Sequence, residues 1–350
     1  MADEDVELVL GLLPRSYFFS QEPLPRNYEE GVAYIQQLER TRAEATATPL
    51  SSLLPREFTP SDAWTESVAA TSTTKYHRVS PFPDVLLSAA RPQDMVITVS
   101  KPIRAQVDTF TQVYLGTLRV GAGKPRSVCL KIYQQSLCQF PKEDCFDEND
   151  DWSDIWRSAA QTAAIEAWAY RQLKSFQGSL IPYSFGFYKI RLPNDEISIV
   201  HVLEYLDAIR LSDLDRATIE QRVRCDIFDV IDDLLSKLDQ MHAMGVVHGD
   251  INWHNVMLMR QIPDDDPSSA LVVIDFNLAQ PSDESNKFHD AVHTVELFRK
   301  LNVPMKDIEE WYMRCTTSTP RPQWLSMFCA HGADNAYFNA WQMRTYWLEI

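Results

Sequence analysis

The stretch VVHGDINWHNVMLM at residues 246–259 is followed by VVIDFNLA at residues 272–279. Each contains a short apolar run typical of a buried strand, with acidic or amide side chains beside it. Asp250 and Asn255 share the loop between two such runs, and Asp275 ends the second stretch's apolar run. Two carboxylates and an amide on loops suit phosphoryl transfer, which needs a base for a hydroxyl and oxygen ligands for Mg²⁺. A single Asp after a strand is more often a turn residue or a helix cap, so only the combination predicts this chemistry.

The chain upstream of these stretches has the pattern of an antiparallel sheet. β-rich runs occupy residues 94–100, 109–120, 126–133, 184–192 and 197–206. The Ala-rich run at 154–176 lies between the third and fourth of them and predicts one long helix. We therefore expect a small antiparallel lobe with one helix packed on it.

The chain downstream reads as mainly helical. Residues 219–245 predict a single amphipathic helix with Val230, Leu234, Leu235, Leu238 and Met241 on one stripe, ended by Gly245. Residues after 283 are Trp-rich and also predict helix.

Residues 1–90 differ in composition from the rest. Residues 27–45 predict an amphipathic helix capped by Asn27. Residues 45–75 are rich in Ser, Thr, Ala and Pro without periodicity, which predicts a poorly packed linker. We expect no catalytic group in this extension.

Composition excludes several classes of protein. The net charge of −16 argues against nucleic acid and against a polybasic membrane surface as partners. The six cysteines form no C-x-x-C pair, so neither a disulfide scaffold nor a zinc site is expected. The acidic N-terminus does not read as a secretory signal, and no apolar run is long enough for a transmembrane helix. The expected location is intracellular, cytoplasmic or nuclear.

The ordered motifs resemble the protein-kinase-like superfamily, in particular divergent fungal-type kinase domains. HGDINWHN resembles the catalytic loop H-x-D-x-x-x-x-N, whose His-Gly-Asp form is shared with aminoglycoside-phosphotransferase-like kinases, and IDFN resembles the D-F-G segment. VCLKIY, EAWAYRQL and VLEYL resemble the lysine strand, the helix that pairs with the lysine, and the segment joining the lobes. The implied fold is α+β and bilobal: an extension at 1–90, a small lobe at 91–206 with an antiparallel sheet and one long helix, and a mainly helical lobe at 207–350.

The resemblance implies ATP and Mg²⁺ as cofactors. Asp250 would orient the acceptor hydroxyl, Lys131 would anchor phosphate with Glu166 as its partner, and Asn255 and Asp275 would bind the metal. The remaining nucleotide contacts implied are Val113, Leu203, Glu204 and Leu206. Lys131 also stands at the centre of an alternating strand, so its ammonium is expected to point into a cleft and to pair with Glu166 on the adjacent helix. The alternative is that Lys131 is an edge-strand lysine and Glu166 a helix surface residue. His248 is interpreted as a structural residue of the loop, and His254 receives no role.

The sequence departs from the family at several positions. Gln106, Asp108 and Thr111 stand where the nucleotide loop usually has glycines, and an Asp there would repel phosphate. Gly249 replaces the Arg that reads an activation-loop phosphate, and Asn252 replaces a lysine. Asn277 fills the third D-F-G position, where its tolerance of left-handed backbone makes the turn plausible. No A-P-E-like segment follows Asp275.

The predicted function is ATP- and Mg²⁺-dependent phosphoryl transfer to a hydroxyl of a protein Ser/Thr or of a small molecule. The missing activation segment favours a small molecule, and the fungal-type resemblance favours a protein. The alternative is a pseudokinase, a nucleotide-binding or scaffolding module without catalysis, which the glycine-free loop favours. A third alternative is an α+β interaction protein whose motifs arise by chance.

Overall fold

The computed structural model divides into two compact units, residues 1–206 with 276–278 and residues 207–275 with 279–350. The residues that the structure describes are 28–46, 54, 56–63, 78, 80–82, 91–107, 109, 111–138, 157–262, 270–283, 290, 297–298, 300–304, 306–308 and 310–311.

The first unit is built on an antiparallel sheet. Its main strands are β3 (Met95–Arg104), β4 (Gln112–Val120), β5 (Arg126–Tyr133), β6 (Ser184–Arg191) and β7 (Ile197–Glu204). The short strands β1 (Glu57–Phe58) and β2 (Asp62–Ala63) pair with β3 and β6. Among the described residues the strand order is β1-β3-β4-β5-β7-β6-β2. The predicted antiparallel sheet is therefore present, with two additional strands at its edges.

The edge strands show that the sheet is curled. The outer strands of a flat sheet of this size would be ~29 Å apart, at ~4.8 Å per strand. The segment from Phe58 to Asp62 joins those outer strands, and so short a segment spans at most ~14 Å. The sheet must therefore roll so that β3 and β6 approach each other. The prediction of a poorly packed linker at 45–75 is wrong for residues 54 and 56–63, because Leu54 is buried and these strands complete the sheet edges.

Alternation along the strands separates two faces. Val128, Leu130 and Ile132 of β5 belong to the larger apolar core, together with residues of β3, β4, β6 and β7. Tyr133 of the same strand packs on the opposite face against helix α2 (Ala159–Gln172). Ala159, Ala163 and Ala167 line that contact, and their short side chains let the helix approach the sheet closely. Lys131 has the same parity as Tyr133 and so shares its face.

Of the two described helices of the first unit, one is shorter than predicted and the other agrees with its prediction. Helix α2 is shorter than the predicted 154–176: Ser158 caps it, with its side chain accepting from the Gln161 N–H, and the turn Lys174–Phe176 follows it. Residues 151–156 lie outside the described residues. Helix α1 (Tyr28–Thr46) agrees with the predicted helix at 27–45, while its predicted cap Asn27 also lies outside them. Arg42 of α1 binds the backbone oxygens of Ser136 and Cys138.

The second unit has helices and short strands. Helix α3 (Arg216–Val223) and helix α4 (Ile227–Ala243) replace the single helix predicted over 219–245. The break occurs because Arg224 adopts a left-handed φ of 59° and Asp226 caps a new helix through the Phe228 N–H. Strand β8 (Ala208–Arg210) pairs with β10 (Val256–Met259), which pairs with β11 (Leu271–Val273). Strand β9 (Val246–Val247) pairs with β12 (Gln280–Pro281).

No helix in the described part of the chain is long and apolar enough to cross a membrane.

Candidate active site

The first unit contains the predicted ion pair between Lys131 and Glu166. Lys131 Nζ donates to Glu166 Oε2 at 2.6 Å, and Glu166 is fully buried. Lys131 lies on the α2 face of β5, and Glu166 lies three residues beyond Ala163, on the helix face that meets the sheet. The interpretation of Lys131 as an exposed edge lysine is therefore wrong.

Two further residues contact Glu166, and sequence reasoning missed both of them. Tyr133, two residues after Lys131 on the same strand face, donates its hydroxyl to Glu166 Oε2. His201 is the cross-strand partner of Lys131, and its Nδ1 lies 3.6 Å from Glu166 Oε1. Burial lowers the pKa of His201, against the opposing effect of the Glu166 carboxylate, so this imidazole is neutral near pH 7. The period-two pattern of β5 and β7 could have drawn attention to both residues.

Asn277 also joins this cluster within the first unit. Its Oδ1 accepts a hydrogen bond from Lys131 Nζ at 2.9 Å, and its side chain is buried. The tolerance of Asn277 for left-handed backbone was expected to make the turn plausible, but the residue of this segment with positive φ is Asp275, at 70°. Asp is one of the few residues besides glycine that visit this region readily.

Other predicted nucleotide contacts also fall in the first unit. Val113 of β4 lies opposite Lys131 of β5, and Leu203 of β7 lies opposite Cys129. Leu206 is half-buried. The Glu204 side chain is occupied by Arg78, whose guanidinium donates to both carboxylate oxygens at 2.9 and 3.0 Å. That leaves only the backbone of Glu204 for the contact with an adenine edge that the resemblance implied.

The loop that lacks glycines is held by its own side chains. The Gln112 amide accepts from the Gln106 N–H and donates to the Gln106 carbonyl, both at 2.7 Å. The Thr109 hydroxyl lies 3.1 Å from the carbonyl oxygens of both Gln106 and Thr111, either of which can accept its one proton. Asp108 lies outside the described residues. The N–H of Gln106, at the first of the three glycine positions, is therefore already bound within the protein.

The second unit carries the loop with Asp250. Asn252 Nδ2 donates to Asp250 Oδ1 at 2.9 Å, and Asn255 Nδ2 donates to Asp250 Oδ2 at 2.8 Å. Each carboxylate oxygen thus has a fixed partner, which orients the group. Burial raises the pKa of Asp250, and the nearby charge of Asp275 raises it further, while His248 and the two amides oppose the shift.

His248 has the structural role that was expected. Its Nδ1 accepts from the Asp250 N–H at 3.2 Å, so its Nε2 carries the proton that it donates to the Ile274 carbonyl at 3.0 Å. The loop is therefore tied to the strand that delivers Asp275. His254 is exposed, in keeping with its lack of an assigned role.

Asp290 anchors the same loop and was missed by sequence reasoning. Its carboxylate accepts the N–H groups of His248 at 2.7 Å and Gly249 at 2.9 Å, and it contacts His242 Nε2 at 2.9 Å. Burial alone would raise the pKa of Asp290, but the hydrogen bonds that its carboxylate accepts from the His242 side chain and from the His248 backbone N–H bring it below its usual value. Gly249 has a φ of 77°, a conformation that favours glycine and explains its presence here.

The donor set fits Mg²⁺ bound together with phosphate. The Asn255 nitrogen is bound to Asp250, which leaves its amide oxygen as a potential ligand, and the Asn255 carbonyl accepts the N–H of Ile274, the residue before Asp275. The described residues include no cluster of three or more His, Cys, Asp or Glu side chains suited to a metal. A site with one carboxylate and one amide suits Mg²⁺, which commonly takes its other ligands from water and substrate phosphates.

Comparison with known proteins gives limited information. No family profile matches the chain, and no curated protein matches it. Solved structures do match, among them WaaP in complex with acyl carrier protein. That similarity has 16% sequence identity and a TM-score of 0.40, and it covers 71% of this chain and 88% of the other. A similarity at this level carries no argument about function.

Proposed function

We propose that this protein is a kinase-like phosphotransferase that uses ATP and Mg²⁺ to phosphorylate a hydroxyl group. The observation that carries the proposal is the buried Lys131–Glu166 ion pair at 2.6 Å. Burying two charges costs roughly several kcal/mol per ion. The attraction between the two charges seldom offsets this cost, so such a pair is seldom present for stability. A cationic group held at a strand centre by a carboxylate is suited to bind nucleotide phosphates.

The second unit supplies the groups for transfer. Asp250, oriented by Asn252 and Asn255, would accept or align the proton of the acceptor hydroxyl. Asn255 and Asp275 would hold Mg²⁺, which neutralises charge on the phosphates when bound. In this interpretation residues 91–206 form the small lobe and 207–350 the large lobe. Since ATP is an intracellular substrate, the protein would act in the cytoplasm or nucleus.

The acceptor is either a protein Ser/Thr or a small molecule. Gly249 stands where an Arg would read a phosphorylated activation loop, and its φ of 77° favours glycine there. This observation favours a small-molecule acceptor, because it removes one device that protein kinases use for regulation. Transfer from labelled ATP to a generic protein substrate and to sugar alcohols would distinguish the two.

A nucleotide-binding or scaffolding module without catalysis is the second candidate. The loop held by Gln112 favours this second candidate. The Gln106 N–H donates to the Gln112 side chain, so it is not available to bind a nucleotide phosphate. The two functions differ in whether Mg-ATP binding is followed by turnover.

The test combines binding and turnover in the full-length protein. A thermal-shift titration with ATP, with and without Mg²⁺, should raise the unfolding midpoint as ligand concentration rises. Asp275→Ala should abolish the Mg²⁺-dependent part of that shift, while Asp250→Asn should keep it but lower ATP turnover at least about 100-fold, as loss of a general base does. His254→Ala, an exposed change in the same loop, is the matched control and should change neither. The enzyme interpretation would be wrong if the wild type binds Mg-ATP without any turnover and the Asp250→Asn variant behaves like wild type. The protein would then be a binding module without catalysis.

A further inference from the structure

The Lys131–Glu166 pair belongs to a group of four buried side chains that contact each other in the first unit. Lys131 Nζ donates to Glu166 Oε2 at 2.6 Å and to Asn277 Oδ1 at 2.9 Å. The Tyr133 hydroxyl donates to the same Glu166 oxygen and lies 3.4 Å from Asn277 Oδ1. Two donors and two acceptors therefore contact each other around one ring, with every side chain buried.

The sequence explains how this ring forms. Lys131 and Tyr133 are two residues apart on β5, so their side chains leave the same face of the strand. Asn277 stands in the third position of the D-F-G-like segment, where the resemblance expects glycine. Glycine has no side chain that could reach Lys131. The amide oxygen at this position is thus a feature of this chain's own sequence.

We propose that Asn277 is a positioning residue that fixes the direction of the Lys131 ammonium. The proposal rests on the proposed function, in which Lys131 binds nucleotide phosphate. A flexible lysine with one acceptor can move around that acceptor, whereas two acceptors in different directions fix Nζ before the ligand arrives. Fixing a binding group in advance removes part of its ordering cost from the binding step. Asn277 carries no charge, so its effect is on direction rather than on charge balance.

Chemical reactivity of Lys131 tests this positioning without any nucleotide. The full-length protein would be treated with acetic anhydride, and acetylation at Lys131 followed by peptide mass spectrometry. Asn277→Gly removes an acceptor that favours the charged ammonium, so Lys131 should react at least about fivefold faster. The same variant should bind Mg-ATP about tenfold more weakly, the usual worth of a hydrogen bond to a charged group.

A control variant separates positioning from general stability. Gln134→Ala removes a buried amide of the same unit that bonds Ser136 and Glu196 but not Lys131. It should lower the unfolding midpoint yet leave Lys131 acetylation and Mg-ATP affinity within about twofold of wild type, because the side-chain bonds to Lys131 stay intact.

The outcomes decide between the alternatives. If Asn277→Gly reacts like wild type at Lys131, Asn277 is merely structural and the proposal is overturned. If that variant does not fold, Asn277→Asp is used instead: its negative charge beside the ammonium should slow acetylation at least about fivefold, and an unchanged rate overturns the proposal. Failure of the wild type to bind Mg-ATP would refute the proposed function, while the acetylation rates would still decide the role of Asn277.

Discussion

The contact between Arg78 and Glu204 provides a quantitative test of how the N-terminal extension supports the sheet. The Arg78 guanidinium donates to both Glu204 oxygens and also to the carbonyls of Ser179 and Ile181, at 2.7 and 3.0 Å. Glu204 Oε2 additionally accepts the Tyr183 N–H at 3.0 Å. Arg78→Ala would therefore leave a mostly buried carboxylate and two carbonyls without their cationic donor.

The magnitude follows from the partial burial of the pair. The side chains of Arg78 and Glu204 are 19% and 9% exposed, which places the pair nearer to a buried than to a surface ion pair. Removing one partner of a buried pair costs ~3–5 kcal/mol, and a surface pair contributes ~0–1 kcal/mol. We expect Arg78→Ala to lower the unfolding free energy by about 3 kcal/mol, at the low end of the buried range. The coupling energy with Glu204→Ala should be about 2 kcal/mol.

Urea titration and hydrogen exchange would measure this effect. Urea unfolding gives the free energy of each single variant and of the double variant by linear extrapolation. Amide exchange over residues 177–183 should accelerate in Arg78→Ala, because this segment contacts Arg78 directly. Arg191→Ala is the control: its pair with Asp195 is exposed, so its cost should stay below about 0.5 kcal/mol. Single variants that each cost less than about 0.5 kcal/mol and add without coupling would refute the reasoning.

Three further predictions concern pH, the nucleotide loop and the Asp250 loop. Burial lowers the pKa of His201 in the folded protein, so this residue is protonated at a higher pH in the unfolded state than in the folded state. The unfolding free energy should therefore fall as the pH drops below ~6.5, by up to ~1.4 kcal/mol per pH unit. His201→Gln should flatten this slope in urea titrations at several pH values, and exposed His254→Gln should not. Gln112→Ala should speed amide exchange at Gln106, whose N–H it releases; an unchanged rate would show that the loop does not depend on this side chain. Asp290→Asn removes one of the two oxygens that accept N–H groups of the Asp250 loop, so ATP turnover should fall about tenfold. The ATP-induced thermal shift should persist in this variant. An equal loss of turnover and of thermal shift would instead indicate unfolding.

The sequence by itself determined the local elements of the sheet and one contact of the site. Strand β5 begins and ends where its alternating pattern predicted, at Arg126 and Tyr133. The same alternation placed Lys131 on one face, and the helix pattern placed Glu166 where the two could pair. Period-two and helical patterns are local properties, so they can be read without knowing the rest of the fold. Helix ends were less accurate, because caps such as Ser158 and Asp226 override the apolar pattern.

Only the tertiary structure decided which distant residues form hydrogen bonds with Lys131, with Glu204 and with the Asp250 loop. Asn277 is 146 residues from Lys131, Arg78 is 126 residues from Glu204, and Asp290 is 42 residues from His248. The curling of the sheet likewise depends on β1 and β2, whose two-residue strands have no recognisable period of their own. Contacts over such separations arise from the packing of whole helices and strands. A polar side chain forms its hydrogen bonds with the groups that this packing brings close to it, and a local sequence pattern does not identify those groups. For that reason the sequence predicted the chemistry of Lys131 and Asp250, while the residues that hold them in place became visible only in the folded chain.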